Sequence, residues 1–409
     1  MKPEIKQRIE QIKSGQVPEG YKKTKIGIVP TEWNNTCFSD LFVSKSEYTE
    51  DLGKYPLYSL TIEDGVTAKS ERYERSHLVK KENAYKIVEP DDFAYNPMNV
   101  RFGAVARHKG KFPVSVSGYY DIFTTKEKSD LEFMDNFLVS DKMISYYNKV
   151  STGSLVEKQR VHFSEFIEFN LPMPSLTERE RIAKILSGQD KIIELQQKKI
   201  DELQKLKKVF LRKLFPKKGQ NVPEWRFPKF TGVWKCTKLR EIANRYDNLR
   251  IPVAANLRVA GDTPYYGANG IQDYVDGFTH EGEFVLVAED GASDLKNYPV
   301  KCVTGRIWVN NHAHVIQGKN QVADNQFLAY YLSQADIESL LVGGGRAKLN
   351  AETLMEMSVH LPTLHEQLTI GACIKSLDNN IELSLRKLEE MKEYKKSLMQ
   401  LLLTGITRV

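Results

Sequence analysis

Few strings in this chain have the residue types and spacing for catalysis or metal binding. His312-Ala313-His314 would set two imidazoles on one face of a strand, where a metal ion could be ligated, but no Cys or carboxylate stands beside them in sequence. Asn96-Pro97-Met98-Asn99 has the start of the Asn/Asp-Pro-Pro-aromatic string that holds an amino group for methyl transfer. The second proline and the aromatic are missing, and no Phe-x-Gly-x-Gly cofactor string precedes it. GAVARHKGK (103–111) has six residues between its glycines where a P-loop needs four. Cys37, Cys236, Cys302 and Cys373 form no C-x-x-C pair, so they suggest neither a zinc site nor a disulfide framework. No Ser/His/Asp arrangement can be located. The reading is a chain with no catalytic residue, no metal ligand and no cofactor of its own.

The elements that would position any site are announced by a repeat. Residues 174–215 and 362–403 align without a gap at an offset of 188, and 13 of the 42 positions are identical. The identities include Pro174/Pro362, Glu178/Glu366, Asp190/Asp378 and Lys207/Lys395. Two copies of a unit of about 190 residues imply two copies of a structure related by an approximate two-fold axis.

Both repeated stretches read as helices. Ser175-x-x-Glu178 and Thr363-x-x-Glu366 have the form of capping boxes directly after a proline. Ile182, Leu186, Ile193, Ile200, Leu203, Phe210 and Leu214 follow a 3-4 spacing in the first. Ile370, Ile374, Leu377, Ile381, Leu388, Met391, Leu398 and Leu402 do so in the second. That period is the seam of a coiled coil, and a two-fold relation makes the pair antiparallel. Full overlap brings Gln196 and Ser384 together, a polar pair able to fix register. Each helix of forty or so residues would be about 60 Å long. Pro216 stops the first and Gly405 the second.

The regions before each helix are mixed in texture. Short β-like runs such as FPVSVS (112–117), EFVLVA (283–288) and AHVIQ (313–317) alternate with Gly/Asn/Asp turns. Each region has one helical patch, 134–150 and 324–342, followed by a glycine-bearing polar loop, a strand and a proline. The earlier parts do not align. Trp33 and Trp234 each close a Pro/Gly-rich lead-in and read as core anchors. The expected fold class is α+β: two mixed α/β domains joined by two long helices in an antiparallel coiled coil, with a pseudo-two-fold internal repeat. The segments are 1–23 (N-terminal helix and lead-in), 24–174 (first mixed domain), 175–218 (central spacer helix), 219–362 (second mixed domain) and 363–409 (C-terminal spacer helix).

Composition bounds the class. The chain has 409 residues, 41% hydrophobic and 27% charged, with a net charge of +6. At about 150 residues per domain, that length gives two to four domains. The charge is compatible with nucleic acid without requiring it. Residues 176–218 hold 13 Lys/Arg against 6 Asp/Glu, so the LQKLKKVFLRKLFPKK end of the first helix is either a solvated face or a phosphate-tracking stripe. No run of 18 apolar residues predicts a membrane span, the N-terminus lacks a signal-peptide core, and scattered cysteines fit a reducing cytoplasm.

The whole pattern resembles the DNA-specificity subunit of type I restriction-modification enzymes. The resemblance rests on KKTKIGIVPTEW (22–33), DFAYNPMNVRFGAVA (92–106), VSVSGYYDIF (114–123), PYYGANGIQDYVDGF (264–278), EGEFVLVAEDGA (281–292), RIWVNNHAHVI (306–316) and the twice-present P-x-L-x-E-x-x-x-I helix opening. One departure is Arg179, where the family commonly has Gln after the Glu; Gln367 keeps it in the second copy.

The resemblance implies two target recognition domains, each reading half of a split double-stranded DNA site. Spacer helices dock methyltransferase subunits, two of them, and restriction/translocase subunits. S-adenosylmethionine, ATP and Mg belong to those partners. Base edges call for Arg/Lys on guanine and Asn/Gln on adenine. The candidates are Asn96, Asn99 and Arg101 in the first domain, and Asn269, Asn310, Asn311 and His312 in the second. Lys158, Gln159, Arg160, Arg346 and Lys348 lie in the glycine-bearing loops as candidate phosphate contacts. Two other readings compete: a single-chain adenine DNA methyltransferase with tandem recognition domains, and a coiled-coil adaptor that binds no DNA.

Overall fold

Sustained 3.5-residue apolar periodicity without internal proline is what lets the repeated stretches run as long helices. They span Leu176–Lys213 and Leu364–Leu402, and the first continues through Gly188. The computed structural model describes residues 3–68, 84–155, 159–343 and 347–409. The chain forms two compact units, Met1–Leu195 with Leu388–Val409, and Gln196–Lys387. The division falls inside both long helices.

In the first unit, a four-stranded antiparallel sheet runs in the order Val105–Arg107, Phe93–Tyr95, Asp121–Thr125, Phe42–Lys45. Its core is aromatic. Phe38, Phe42, Phe93, Tyr95, Phe123 and Phe166 are buried together, and the Phe93 and Phe123 rings stack at 5.1 Å. Ile182 and Leu186 from the first long helix enter this core with Leu402 and Leu403 from the end of the second. Asp190 pairs with Lys395 at 2.5 Å, so the helix segments in this unit run antiparallel.

In the second unit, a six-stranded sheet runs in the order Ala243–Arg245, Ala313–Gly318, His280–Ala288, Val300–Val309, Ala260–Gly267, Gly270–Val275. The pairing of Ala260–Gly267 with Val300–Val309 is parallel. Leu214, Phe215, Ile370 and Ile374 share a core with Trp234 and Phe327. Lys207 pairs with Asp378 at 2.5 Å. Gln196 Nε2 donates to the Ser384 carbonyl at 2.8 Å, so the serine contributes its backbone and its small size. The repeat's identical Asp and Lys thus make the same cross-helix ion pair once in each unit. Of the sequence seam, Ile182, Leu186, Ile200, Leu214, Ile370, Ile374, Leu388 and Leu402 are buried. Ile193, Leu203, Phe210, Leu377, Ile381, Met391 and Leu398 are half-buried.

The units also begin alike, which the sequence alignment missed. Strand Asn34–Cys37, a one-turn helix Phe38–Leu41 and strand Phe42–Lys45 match Lys235–Lys238, Leu239–Ile242 and Ala243–Arg245. In each, the first strand pairs with the strand that precedes the long helix, Asn170–Met173 or Ser358–Leu361.

The two helix openings differ from the capping-box expectation. The Glu178 amide bonds the Ser175 hydroxyl at 3.3 Å, but neither glutamate side chain turns back to its cap. Glu178 instead holds Arg408 and accepts from the Trp33 indole at 3.3 Å. Glu366 takes both Arg226 Nε and Nη2 at 2.8 Å. The next position explains the departure at Arg179. Arg179 pairs with Asp130 (2.7 Å), whereas Gln367 accepts from the Asp324 amide (2.9 Å); both tie the helix start to the segment leading into a core helix, Leu131–Phe137 or Asn325–Ser333. Gly405, at φ +69°, lies against Pro30 and Trp33, where a Cβ would clash.

Glu366 is fully buried, so removing its arginine strands a carboxylate out of water. Arg226→Ala is expected to destabilise the protein by about 3–5 kcal/mol. A urea melt should show the lowered midpoint, with Arg226→Ala/Glu366→Gln recovering at least half of it. A double variant no better than the single one would contradict the assignment.

Candidate nucleic-acid interface

Sequence candidates far apart in the first unit meet at one rim. Strand Phe93–Tyr95 ends at Asn96, whose side-chain oxygen accepts the amides of Met98 (3.1 Å) and Asn99 (3.3 Å). Asn96 is therefore a buried brace of the turn, and Asn99 is the exposed amide. A 3-10 turn, Val100–Phe102, follows, and Gly103 at φ +99° returns the chain to the sheet. Arg101 is largely buried: its Nη1 donates to Gln159 Oε1 at 2.8 Å, and its guanidinium lies 4.6 Å from the Phe102 ring centroid. The Val161 amide bonds the Pro97 carbonyl at 2.9 Å, which zips the glycine-bearing loop to this turn. Arg160 pairs through its backbone with Thr152 and is half-buried. Lys158 lies outside the described residues.

The second unit brings its candidates together at the ends of central strands. Asn310 is buried; its side chain accepts from the His312 amide at 2.8 Å and donates to Gln272 at 3.4 Å. Asn269 bridges Gly291 and Ser293. Asn311 is exposed. Residues 342 and 348 pair across the glycine-bearing loop, and the Leu349 amide bonds the Glu289 carbonyl at 2.7 Å. Arg346 lies outside the described residues.

Carboxylates that sequence proximity did not reveal reach both histidines. His312 Nδ1 is 2.5 Å from Asp290, and His314 Nδ1 is 2.8 Å from Asp247 and 3.5 Å from Glu289. The acidic end of the AEDG string was the available signal. Among the described residues, the ligand atoms of Asp247, Glu289 and His314 lie within 4.8 Å of one another. These carboxylates already face cations: Glu289 binds Arg250 (2.6 Å) and Lys348 (2.8 Å). Burial works to raise the Glu289 carboxyl, but hydrogen bonds from Lys348 and Arg250 outweigh it and leave it below its ordinary range. Asp247 is likewise pushed up by burial and carried below its ordinary value by the bonds from His314 and the Val315 amide. The arrangement suits a charge-balanced network better than an open coordination site. The basic end of the first long helix is similarly engaged, with Lys207 on Asp378 and Lys213 and Lys217 on Glu224.

Two differently built polar rims, each fed by a glycine-bearing loop, agree with what the chain resembles. The sequence profile of the type I restriction modification DNA specificity domain matches residues 30–205 and again residues 232–393. The chain belongs to this specificity family.

A specificity subunit of Methanocaldococcus jannaschii is 24% identical over 96% of this chain and 97% of its own length. One from Haemophilus influenzae is 48% identical over 145 residues, a match spanning 36% of each chain. The crystal structure of the S subunit of a type I system from M. genitalium shares the fold, at 15% identity and a TM-score of 0.59, covering 91% of this chain and 96% of that one. Type I specificity chains are DNA-recognition components, not catalytic ones. No helix among the described residues is long and apolar enough to cross a membrane.

Among the described loop cations, Lys348 is held by Glu289, and salt dependence should register it. Arg160→Ala should lower the slope of log K against log[salt] by about one. Lys348 must first leave Glu289, so Lys348→Ala should change the slope by less than half as much. Glu289→Gln should tighten binding to unrelated duplexes. Equal slope losses for both alanine variants would show that the Glu289 contact does not restrain Lys348.

Proposed function

We propose that this protein is the DNA sequence-recognition subunit of a type I restriction-modification complex and binds a bipartite, asymmetric double-stranded target. The observation that carries the reading is the family match, present once in each half of the chain. The asymmetry follows from the readers: one is built on a four-stranded sheet and the other on a six-stranded one, with different residues at each rim. The long helices act as an antiparallel coiled-coil spacer and dock two methyltransferase subunits and restriction/translocase subunits. Grooves on one side of a duplex recur about every 34 Å, so two readers on a spacer leave the middle of the site unread. S-adenosylmethionine, ATP and Mg are held by the partners, and the complex works in the cytoplasm.

The purified chain should transfer no methyl group from labelled S-adenosylmethionine to genomic DNA. With its methyltransferase partner in a host lacking other methylases, sequencing of methylated bases should reveal one motif of two unlike halves around a gap. Methyl transfer by the chain alone, or an ungapped motif, would support the single-chain methyltransferase reading.

A fragment of residues 1–218 gives a second test. It lacks Leu388–Val409, which the first unit needs. Leu214 and Phe215 stand at the repeat positions of Leu402 and Leu403, so a second copy of the fragment can supply the missing apolar end. With methyltransferase added, the fragment should dimerise and modify an interrupted palindrome of the first half-site. A folded monomer, or modification of the original asymmetric site, would rule this out.

A further inference from the structure

The rim of the first reader holds one residue that the polar reading does not use. Phe102 is 50% exposed at the tip of the Val100–Phe102 turn, and Tyr48, Phe112 and Tyr119 are also exposed in this unit. A single exposed ring is ordinary. Three further observations set this one apart.

The turn is rigid. Amides of Val100, Phe102, Gly103 and Ala104 bond carbonyls of Asn96, Asn99, Val100 and Asn99 at 2.8–3.1 Å, and Asn148 Nδ2 holds the Arg101 carbonyl at 2.8 Å. The ring therefore does not fold back into the core. Its surroundings are apolar and cationic at once. Ile62 is 56% exposed and flanks the same turn: a Cβ built on Gly103 would lie 3.9 Å from Ile62 Cγ2. Arg101 stacks on the ring and is held from behind by Gln159, next to Arg160. Finally, the exposed amide of Asn99 precedes the turn by one residue. An apolar tip backed by a fixed guanidinium, between a base-reading amide and a phosphate-seeking arginine, matches the needs of a side chain that enters a base stack.

We propose that Phe102 is the wedge of the first reader, inserting at a base step of its DNA half-site while Arg101 backs the ring and Arg160 draws the flanking phosphates. This rests on the DNA-recognition reading and adds a constraint on the target. Unstacking a step costs a few kcal/mol, and least at pyrimidine–purine steps, so the first half-site contains a TA or CA/TG step at the wedge position. Specificity there comes from the energy of opening the step and needs no hydrogen bond to a base.

The test uses the full chain with its methyltransferase subunits and a duplex selected from a random-sequence library on the wild-type complex. A second version of that duplex carries 2-aminopurine at the pyrimidine–purine step, and a third carries an abasic site there. Wild-type protein should raise 2-aminopurine fluorescence several-fold, and Phe102→Leu should keep most of the signal. Phe102→Ala should lose the signal and bind the intact duplex about tenfold more weakly, with the loss under about threefold on the abasic duplex. The ring is half in solvent, so unchanged circular dichroism is expected and separates this loss from misfolding.

Wild-type fluorescence and affinity in Phe102→Ala, with the Arg160→Ala salt effect intact, would remove the wedge and leave DNA recognition standing. Weakened methyltransferase association with unchanged fluorescence would assign the ring to a protein face and also overturn the proposal. A wild-type complex that retains no duplex would overturn the recognition reading itself, and the wedge with it.

Discussion

A carboxylate taken out of water must be given cations and donors, and this protein buries one at the start of each long helix. Glu178 and Glu366 occupy the same position of the repeat, and each receives an arginine from the chain that follows the opposite helix, Arg408 and Arg226 respectively. Burying such a pair gains little net energy, but leaving either partner alone is costly. The pairs therefore act as conditions on assembly. The first unit closes only when the C-terminal segment returns, bringing Leu402, Leu403 and the Gly405 turn against Trp33. Tyr21 and Arg8 then bond the carbonyls of Gly405 and Ile406.

The same economy runs along the helices. Apolar seam residues supply most of the burial and are tolerant of sliding, because neighbouring turns look alike. The polar exceptions are not: Asp190 with Lys395, Lys207 with Asp378, and Gln196 with the Ser384 carbonyl each fit one alignment. Register is thus carried by a few groups that lose partners if the helices slip.

Long periodic features were legible in the sequence because periodicity survives substitution. The helices and the repeat rest on spacing, and the anchoring role of Trp33 and Trp234 on the Pro/Gly-rich lead-ins they close. What depends on three-dimensional return was not legible. The capping-box motif was present, but Glu178 and Glu366 had better partners far along the chain. The strand–turn–strand opening shared by the units is too short, and its apolar pattern too common, to align. At the rims, residue type could not separate braces from exposed side chains: Asn96 and Asn310 brace turns, while Asn99 and Asn311 are exposed. Glu289 was marked only by the acidic AEDG string, and Asp247, which holds His314, lies far along the chain and carried no local mark.

The central proposal is that each half of the chain answers for one half of the DNA target. Replacing residues 24–174 with the corresponding reader of another specificity chain, and sequencing the methylated bases made with the same methyltransferase, tests it most directly. The account predicts that one half of the recognised motif changes while the other half and the gap length stay as they were. A change in both halves, or in the gap, would contradict it.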